Sequence, residues 1–225
     1  MNSTYAMIMA VRNAAEFLEE ALESVFAQSH PASELFVVDE FSTDKTTEIV
    51  RSFGPKIHLL SNSVGGMTGA YALALPLVKS DFITFLDGDD LWLPSKAEKQ
   101  IRYLNEEIEV DVVCSAVLNF TKNDPKDADF STSRKFAASR LFTASTFRRE
   151  TFEKFGAPDV AAGHFGWLYD WWSKAGDAGI NYALMDEVLL HRRIHGSNSW
   201  VQNRALADKM VIDIARRNIK RRSHD

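Results

Sequence analysis

Three aspartates within four positions are the residues of this sequence whose types and spacing most clearly could do chemistry. Asp87, Asp89 and Asp90 stand in "FLDGDDLW", directly after an apolar run at residues 81–86. Carboxylates so close together repel one another unless a cation or a donor-rich ligand compensates their charge. Mg²⁺ and Mn²⁺ are hard ions that carboxylate and phosphate oxygens can hold together. The segment therefore predicts a site for a divalent ion and a phosphorylated ligand.

The D-x-D spacing predicts which of these aspartates share a ligand. Alternate side chains of an extended segment point the same way, so Asp87 and Asp89 would converge while Asp90 would point elsewhere. An Asp-Gly-Asp-Asp run also suits a simple turn, and the residues alone leave that alternative open. A further acid, Asp39, ends the apolar run "ELFVVD".

Strands must position these acids, and the first hundred residues alternate between strand and helix patterns. The predicted strands cover residues 5–11, 34–39, 56–60 and 81–86. Helical spacing of apolar residues lies between them, with Asn13 predicted to cap the first helix. Such alternation predicts a parallel sheet with right-handed crossovers. Ligands bind these sheets beyond the carboxyl ends of the strands, so Asp39 and Asp87 are expected on one rim.

The pattern changes after Leu93 and becomes mixed. The predictions there are a helix to about residue 107, strands at 110–120 and 140–150, a helix ending near Gly179, a segment of strand and turn, and a basic C-terminal helix. No linker divides the chain. Its 225 residues suit one continuous domain better than two.

Composition narrows the classes of protein. The apolar share of 45% and the charged share of 25% are ordinary for a soluble globular protein. A net charge of −5 argues against general nucleic-acid affinity, so no nucleic-acid partner is expected. Cys114 is the single cysteine, which predicts a reducing compartment. Without an evident signal peptide or a long apolar run, the expectation is a cytoplasmic protein.

Two stretches together resemble family 2 glycosyltransferases. They are "AMIMAVRNAAEFLEEALESVFAQSHPASELFVVDEFSTDKT" and "SDFITFLDGDDLWLPSKAEKQ", and the resemblance covers about residues 5–107. It implies the GT-A fold, an α/β fold with a Rossmann-like, mostly parallel central sheet flanked by helices and a smaller mixed acceptor-side region. It also implies that residues 1–107 form a nucleotide-sugar-binding half. Residues 108–225 would then form the acceptor-binding and catalytic-base half, with the basic helix at the end.

The resemblance implies an activity, a cofactor and partners. The activity is inverting transfer of a hexosyl or N-acetylhexosaminyl group from a nucleotide-diphosphate sugar, expected to be a UDP-sugar. The acceptor would be a hydroxyl of a glycan, a lipid-linked compound or another molecule, as in polysaccharide biosynthesis. The expected cofactor is Mn²⁺ or Mg²⁺, which would stabilise the charge that develops on the departing diphosphate.

The resemblance also implies roles for the acids at the rim. Asp39 would accept hydrogen bonds from the base or ribose of the nucleotide, and Asp87 would meet the ribose or the sugar. Asp89 would ligate the metal ion at the diphosphate. The residues whose backbone would line the base pocket are Ala10, Val11 and Arg12.

A late segment, "HRRIHGSNSW", resembles the R-x-H-x-x-N-x-S segment of the family. The matching residues are Arg193, His195, Asn198 and Ser199. By this resemblance His195 is a third metal ligand or a diphosphate contact. Arg193 is expected near the phosphates.

The catalytic base is expected in "HFGWLYDWW". By resemblance Asp170 takes the place of the base, and Tyr169 replaces the glutamate that usually precedes it. An aspartate in the first turn of a helix is also favoured by the helix dipole alone. Trp167, Trp171 and Trp172 fit either an aromatic wall for a sugar ring or helical core packing.

The sequence departs from the family pattern at the rim. Glu40 and Phe41 stand where the family has an acid and a glycine. Ala70 and Tyr71 replace an arginine–asparagine pair in the third helix.

Other classes of protein remain alternatives. One is a catalytically inactive nucleotide-sugar-binding subunit, and another is a nucleotidyltransferase on a related fold. The basic C-terminal helix is either a solvated face or a peripheral contact with the inner face of a membrane. A homodimer is left open.

Overall fold

The structure of the protein is a computed structural model that describes residues 3–63, 65–121, 135–136, 140–162, 166–196, 198 and 203–222. The strands are β1 (Tyr5–Val11), β2 (Glu34–Asp39), β3 (Ile57–Ser61), β4 (Phe82–Phe85), β5 (Leu91–Trp92), β6 (Val112–Phe120), β7 (Lys135–Phe136), β8 (Ser145–Arg148) and β9 (Tyr182–Arg193). The helices are α1 (Leu18–Phe26), α2 (Thr46–Ser52), α3 (Met67–Ala74), α4 (Lys96–Glu106), α5 (Arg149–Phe155), α6 (Trp167–Asp177) and α7 (Arg204–Arg222).

The described strands form one sheet in the order β3-β2-β1-β4-β8-β6-β9-β5, with β7 paired to β6. The first four of these strands run parallel, as the alternation of strand and helix predicted. β8 is antiparallel to both β4 and β6, which joins the parallel part to a mixed second part. The predicted α/β fold class, with a mostly parallel central sheet and flanking helices, is confirmed.

The register of the parallel strands brings the acidic residues to one rim. Val11, the last residue of β1, pairs with Asp39 at the end of β2. On the other side of β1, Ile8 pairs with Phe85 at the end of β4. Asp87 follows β4 by two residues, so it lies beyond the same edge of the sheet as Asp39.

The central strands are buried on both faces, as parallel strands usually are. Alternate residues of β1 enter two different apolar clusters. Met7 and Met9 pack on the side of α1, while Ala6 and Ile8 pack on the side of α3 and α6. The short apolar runs of the sequence therefore lack the alternation of polar and apolar residues typical of a strand with one exposed face.

Two local predictions were wrong. α1 begins at Leu18 without a side-chain cap from Asn13. Asn13 has a φ of 49°, and its Oδ1 accepts a hydrogen bond from the backbone N of Thr43. The side chain of Asn13 therefore accepts a hydrogen bond from the loop after β2 instead of capping α1. Most of the described part of the predicted strand-and-turn segment, residues 180–200, is one continuous 12-residue strand, β9, rather than an alternation of short strands and turns. It pairs with β6 through an irregularity in register.

The C-terminal helix α7 packs on α6 close to the cavity described below. Ile214 of α7 is buried, and a Cβ on Gly166, the residue before α6, would collide with it. A glycine at this position therefore allows close approach of the two helices. None of the helices in the described part of the chain is both long enough and apolar enough to cross a bilayer.

Candidate active site

A cavity of about 470 Å³ opens at the carboxyl rim of the parallel strands. The end of β1 and the acidic turn after β4 form one side of it. The turn Leu141, Phe142, Thr143 and the start of α6 form another. Of the nine residues predicted for the site, the cavity is lined by Ala10, Val11, Arg12, Asp87, Asp89 and His195.

The acidic segment folds as a turn and also as a cluster of possible ligands. The backbone N of Asp90 donates to the backbone O of Asp87 at 3.2 Å, so the segment is not extended. Ligand oxygens of Asp87, Asp89 and Asp90 all lie within 4.8 Å of one another. The prediction that Asp90 points elsewhere was wrong, because the alternation of side chains holds only for extended backbone.

The electrostatics of this cluster favour a bound cation. Desolvation and the charge of Asp89 raise the pKa of Asp87 to about 7. Burial and the charges of both neighbours raise the pKa of Asp90 well above its usual range. Arg192 acts in the opposite direction on both carboxyls. A divalent ion would offset the remaining repulsion, and an all-oxygen donor set suits Mg²⁺ or Mn²⁺.

His195 and Asn198 reach the same cluster from the segment after β9. Nε2 of His195 lies 2.9 Å from Oδ2 of Asp89, and Nδ2 of Asn198 donates to the same oxygen at 3.0 Å. The ring of Phe17 packs on the imidazole, with ring centroids 4.7 Å apart. The structure thus brings His195 and Asp89 together as the sequence predicted. Ser199 lies outside the described residues.

Adjacent arginines at the end of β9 have different surroundings. Arg192 lines the cavity. Arg193 is only 2% exposed and is not among the lining residues; its guanidinium forms an ion pair with Glu20 of α1. Neighbouring residues of a strand point to opposite faces, so one of the two arginines reaches the cavity and the other does not. The sequence prediction named Arg193 and missed Arg192, although the doublet "RR" on a strand signalled a choice between them.

Asp39 lies at the end of β2 beside the cavity-lining residues of β1. Its Oδ2 accepts a hydrogen bond from the backbone N of Ser42 at 3.2 Å. Its Oδ1 is buried and has no hydrogen-bond partner within the described part of the chain. Buried polar atoms are rarely left unpaired, so this oxygen is suited to accept a hydrogen bond from a ligand.

Glu40 and Tyr71 line the cavity at positions where the sequence departs from the family pattern. Oε2 of Glu40 accepts a hydrogen bond from the backbone N of Gly66 at 3.1 Å, and desolvation raises its pKa. Burial, Asp87 and Glu40 all raise the pKa of Tyr71. A neutral phenol thus lies near both acids. Phe41, next in sequence, keeps a φ of 58° that a glycine would adopt without strain.

Asp170 does not line the cavity. Its carboxylate is 2.7 Å from Nζ of Lys174, one turn later on α6. The first residues of α6 that line the cavity are Trp167, Leu168 and Tyr169. Of the predicted aromatic wall, therefore, only Trp167 faces the cavity.

The other two tryptophans belong to the core. Nε1 of Trp171 donates to the carbonyl of Gly156 at 2.8 Å, and Nε1 of Trp172 donates to that of Arg140 at 2.7 Å. Both pack against Phe142 and Phe147. Helical core packing, one of the two alternatives that the sequence left open, describes these residues.

The segment between β1 and α1 supplies lining residues that the sequence did not reveal. Glu16 and Phe17 line the cavity beside the acidic turn. Both stand in an apparently regular helical pattern, but α1 begins only after them. The helical pattern alone does not distinguish a residue that lines the cavity from a residue on the helix surface.

The mixed α/β fold, with its mostly parallel central sheet and flanking helices, is that of the GT-A glycosyltransferases. The chain belongs to glycosyl transferase family 2, whose family model matches residues 6–171. The suspected family is thereby confirmed.

Known relatives and solved structures agree with this membership. An uncharacterised glycosyltransferase of Rickettsia typhi is 35% identical over 108 residues, which are 48% of this chain and 34% of the relative. The WfaP protein of Escherichia coli, named UDP-Glc:alpha-D-GlcNAc-diphosphoundecaprenol beta-1,3-glucosyltransferase, is 31% identical over 104 residues, 45% of this chain and 41% of WfaP. The match thus spans well under half the length of these curated relatives.

The mannosyltransferase PcManGT from Pyrobaculum calidifontis, solved in complex with GDP-Man and Mn²⁺, has a similar fold. The TM-score is 0.72 at 22% identity, and the superposition covers 96% of this chain and 65% of that one. At this level of identity the likeness establishes the fold.

Proposed function

We propose that the chain transfers a sugar from a nucleotide-diphosphate sugar to a hydroxyl acceptor, with inversion and with a divalent ion. The observation that carries the proposal is the convergence of Asp87, Asp89 and Asp90 within 4.8 Å at the cavity. The activity for which WfaP is named, and the GDP-Man and Mn²⁺ bound to PcManGT, support donors and an ion of these kinds. We propose a UDP-sugar as the donor, bound by residues 1–107, and an acceptor bound by residues 108–225.

The nucleotide is proposed to bind at the ends of β1 and β2. The unpaired Oδ1 of Asp39 would accept a hydrogen bond from the base or ribose. The backbone of Ala10, Val11 and Arg12 lines the cavity beside it. Asp87 would meet the ribose or the sugar, further along the rim.

The divalent ion is proposed to bind Asp89, with His195 as a further ligand 2.9 Å from that carboxylate. When bound, it supplies positive charge that stabilises the departing diphosphate. Arg192, which lines the cavity, is the cationic side chain that we assign to the phosphates. Arg193, which the sequence analysis expected near the phosphates, does not line the cavity.

Inversion requires a base that removes a proton from the acceptor hydroxyl on the face opposite the leaving group. We propose Asp170 for this role, which the family resemblance assigned to it. Because Lys174 holds its carboxylate in the structure, that ion pair would have to open before Asp170 could reach an acceptor.

A second function is favoured by the composition of the α6 wall. Trp167, Leu168 and Tyr169 line the cavity there without a carboxylate or an imidazole. A cavity with an intact donor site on one wall and no catalytic base on the α6 wall would bind a nucleotide sugar without transferring it. This is the inactive binding subunit that the sequence left as an alternative.

One assay tests the main proposal. Release of UDP or GDP from several nucleotide sugars would be measured with Mn²⁺, with Mg²⁺ and with EDTA. Asp89→Asn is expected to lower the metal-dependent rate by about a hundredfold or more, because it removes a ligand and a charge. Asp186→Asn, which removes an exposed carboxylate of β9, is the matched control. Equal release in EDTA would contradict the proposal.

The release assay, combined with calorimetry and a test of transfer to acceptors, separates the two functions. Metal-dependent binding of the nucleotide by calorimetry, combined with no release from any donor and no transfer to sugar acceptors, would support the binding subunit. Turnover by the wild-type protein that is lost in Asp89→Asn would exclude it.

The C-terminal helix supports a proposal about location. α7 contains seven basic and two acidic residues, and Ile212 and Ile219 on it are 50% and 68% exposed. Basic and apolar side chains on one helix suit a surface of anionic lipid. We propose a cytoplasmic protein that touches the membrane through this helix, where a lipid-linked acceptor would lie. Co-sedimentation with vesicles with and without phosphatidylglycerol tests this, with Ile212→Ser/Ile219→Ser as the variant expected to lose binding.

A further inference from the structure

We infer that Arg193 is a positioning residue, which fixes the acidic turn in a geometry that can hold a cation and does not touch the nucleotide. The inference rests on the proposed metal-dependent function. It concerns a side chain that contacts the turn and does not line the cavity.

Arg193 contacts the acidic turn at two points. Its Nε donates to the backbone O of Asp89 at 3.0 Å, and its backbone N donates to Oδ1 of Asp90 at 2.9 Å. The first contact fixes the backbone of the residue proposed to ligate the ion. The second fixes the orientation of a neighbouring carboxyl of the cluster. The backbone carbonyl of Asp89 and the side chain of Asp90 are therefore both tied to one residue of β9.

The guanidinium of Arg193 is itself held from several directions. Its Cζ lies 4.7 Å from the ring centroid of Phe17 and 4.6 Å from that of Phe120, which pairs with it on β6. The ion pair with Glu20 joins it to α1. A planar cation stacked on aromatic rings, with donors in several directions at fixed angles, is a geometry that arginine provides and lysine does not.

Arg193 thus connects the acidic turn to three elements, which are β9, β6 and α1. β6 and α1 hold the guanidinium, and the guanidinium holds the carbonyl of Asp89. The three carboxyls repel one another, so without such support the turn would relax and move its ligand oxygens apart. Residues that orient metal ligands in this way typically contribute about 10- to 100-fold to metal affinity.

The test compares two arginine-to-lysine variants by Mn²⁺ affinity, measured from the electron paramagnetic resonance signal of free Mn²⁺. Arg148 is the matched control. Its Nε also donates to a backbone carbonyl, that of Val110, at 2.8 Å, and its Cζ lies 5.7 Å from the ring centroid of Phe82. It contacts no residue of the acidic turn in the described structure. Arg193→Lys is expected to weaken Mn²⁺ binding by at least about tenfold, and Arg148→Lys to leave it unchanged.

Thermal unfolding of both variants separates positioning from general stability. If Arg193→Lys and Arg148→Lys lower Tm by similar amounts and only the first loses Mn²⁺ affinity, the inference stands. Equal Mn²⁺ affinity in the two variants would overturn it and leave the proposed function intact. Failure of the wild-type protein to bind Mn²⁺ would instead overturn the proposed metal site and the inference with it.

A second variant addresses the case in which Arg193→Lys fails to fold. Glu20 is partly exposed, with 42% of its side chain accessible, and it does not line the cavity. Glu20→Gln keeps the shape of the side chain but removes the charge that holds the guanidinium. It is expected to weaken Mn²⁺ binding by a few-fold, in the same direction as Arg193→Lys. An unchanged affinity in Glu20→Gln would contradict a role for this ion pair in holding the turn.

Discussion

Oδ2 of Asp170 lies 2.7 Å from Nζ of Lys174, and the same Nζ lies 3.4 Å from Oδ2 of Asp159. The carboxylate proposed as catalytic base is therefore part of an ion pair on α6. Asp170 is 6% exposed, whereas the side chain of Lys174 is 46% exposed. The lysine can move into solvent more easily than the aspartate can.

If Asp170 is the base, Asp170→Asn is expected to lower the transfer rate by about 100- to 10,000-fold, the usual contribution of general base catalysis. Steady-state kinetics with a saturating donor would measure it. Lys174→Gln is the control, because it breaks the same ion pair and keeps the carboxylate. It should retain activity. Comparable losses of Tm in both variants, with unchanged turnover in Asp170→Asn, would assign Asp170 to the ion pair alone.

Asp39→Asn is expected to weaken UDP binding by about 10- to 100-fold. The substitution removes the charge from a buried oxygen that has no partner among the described residues, and a hydrogen bond to a charged group contributes about 1.5–3 kcal/mol. Calorimetry with UDP and with uridine would show the same loss for both, because the proposed contact is to the base or ribose. A loss confined to UDP would contradict this placement.

Arg192→Gln is expected to weaken the binding of UDP, which carries a diphosphate, and to leave the binding of uridine, which carries none, unchanged. The guanidinium lines the cavity beside the acidic turn, where it would form charge-assisted hydrogen bonds with a diphosphate. UDP affinity should fall by about tenfold or more and uridine affinity should stay unchanged, as titration calorimetry can show. Arg102→Gln, on the exposed surface of α4, is the control. Equal losses for UDP and uridine would argue against a phosphate contact.

Lys96 gives a prediction about stability. Burial lowers its pKa to about 7, and its Nζ lies within hydrogen-bond distance of Thr84 Oγ1 and Gln100 Oε1. Between about pH 7 and pH 10 the unfolded chain binds a proton that the folded chain does not. The contribution of Lys96 to the free energy of unfolding should therefore rise with pH in this window, by about 1 kcal/mol per unit.

Lys96→Met should remove that rise, since methionine has a similar length and no titratable group. Urea unfolding at several values between pH 7 and pH 10 would measure the slope. The partly exposed Lys99, on the same helix, serves as the control, and Lys99→Met should keep the slope of the wild-type protein. Parallel slopes in the wild type and Lys96→Met would show that Lys96 is protonated in the folded protein.

The ends of the strands could be predicted closely because they depend on local composition. The run at residues 5–11 predicted β1 (Tyr5–Val11), and "ELFVVD" predicted β2 (Glu34–Asp39). Asn13 shows the limit of such reasoning. Its side chain can either cap a helix or accept a hydrogen bond from a loop. In the folded chain Asn13 bonds to Thr43 and Ser42, about thirty residues away, which local sequence does not reveal.

The sequence by itself determined the family, the parallel sheet and the placement of Asp39, Asp87 and Asp89 near one rim. Each of these follows from the order of short apolar strands and from acids placed at their ends. Only the tertiary structure decided which side chains enter the cavity. It turned Arg192 toward the cavity and Arg193 against the acidic turn, and it paired Asp170 with Lys174. Orientation depends on how each strand and helix rotates when it packs, and partners distant in the chain fix that rotation.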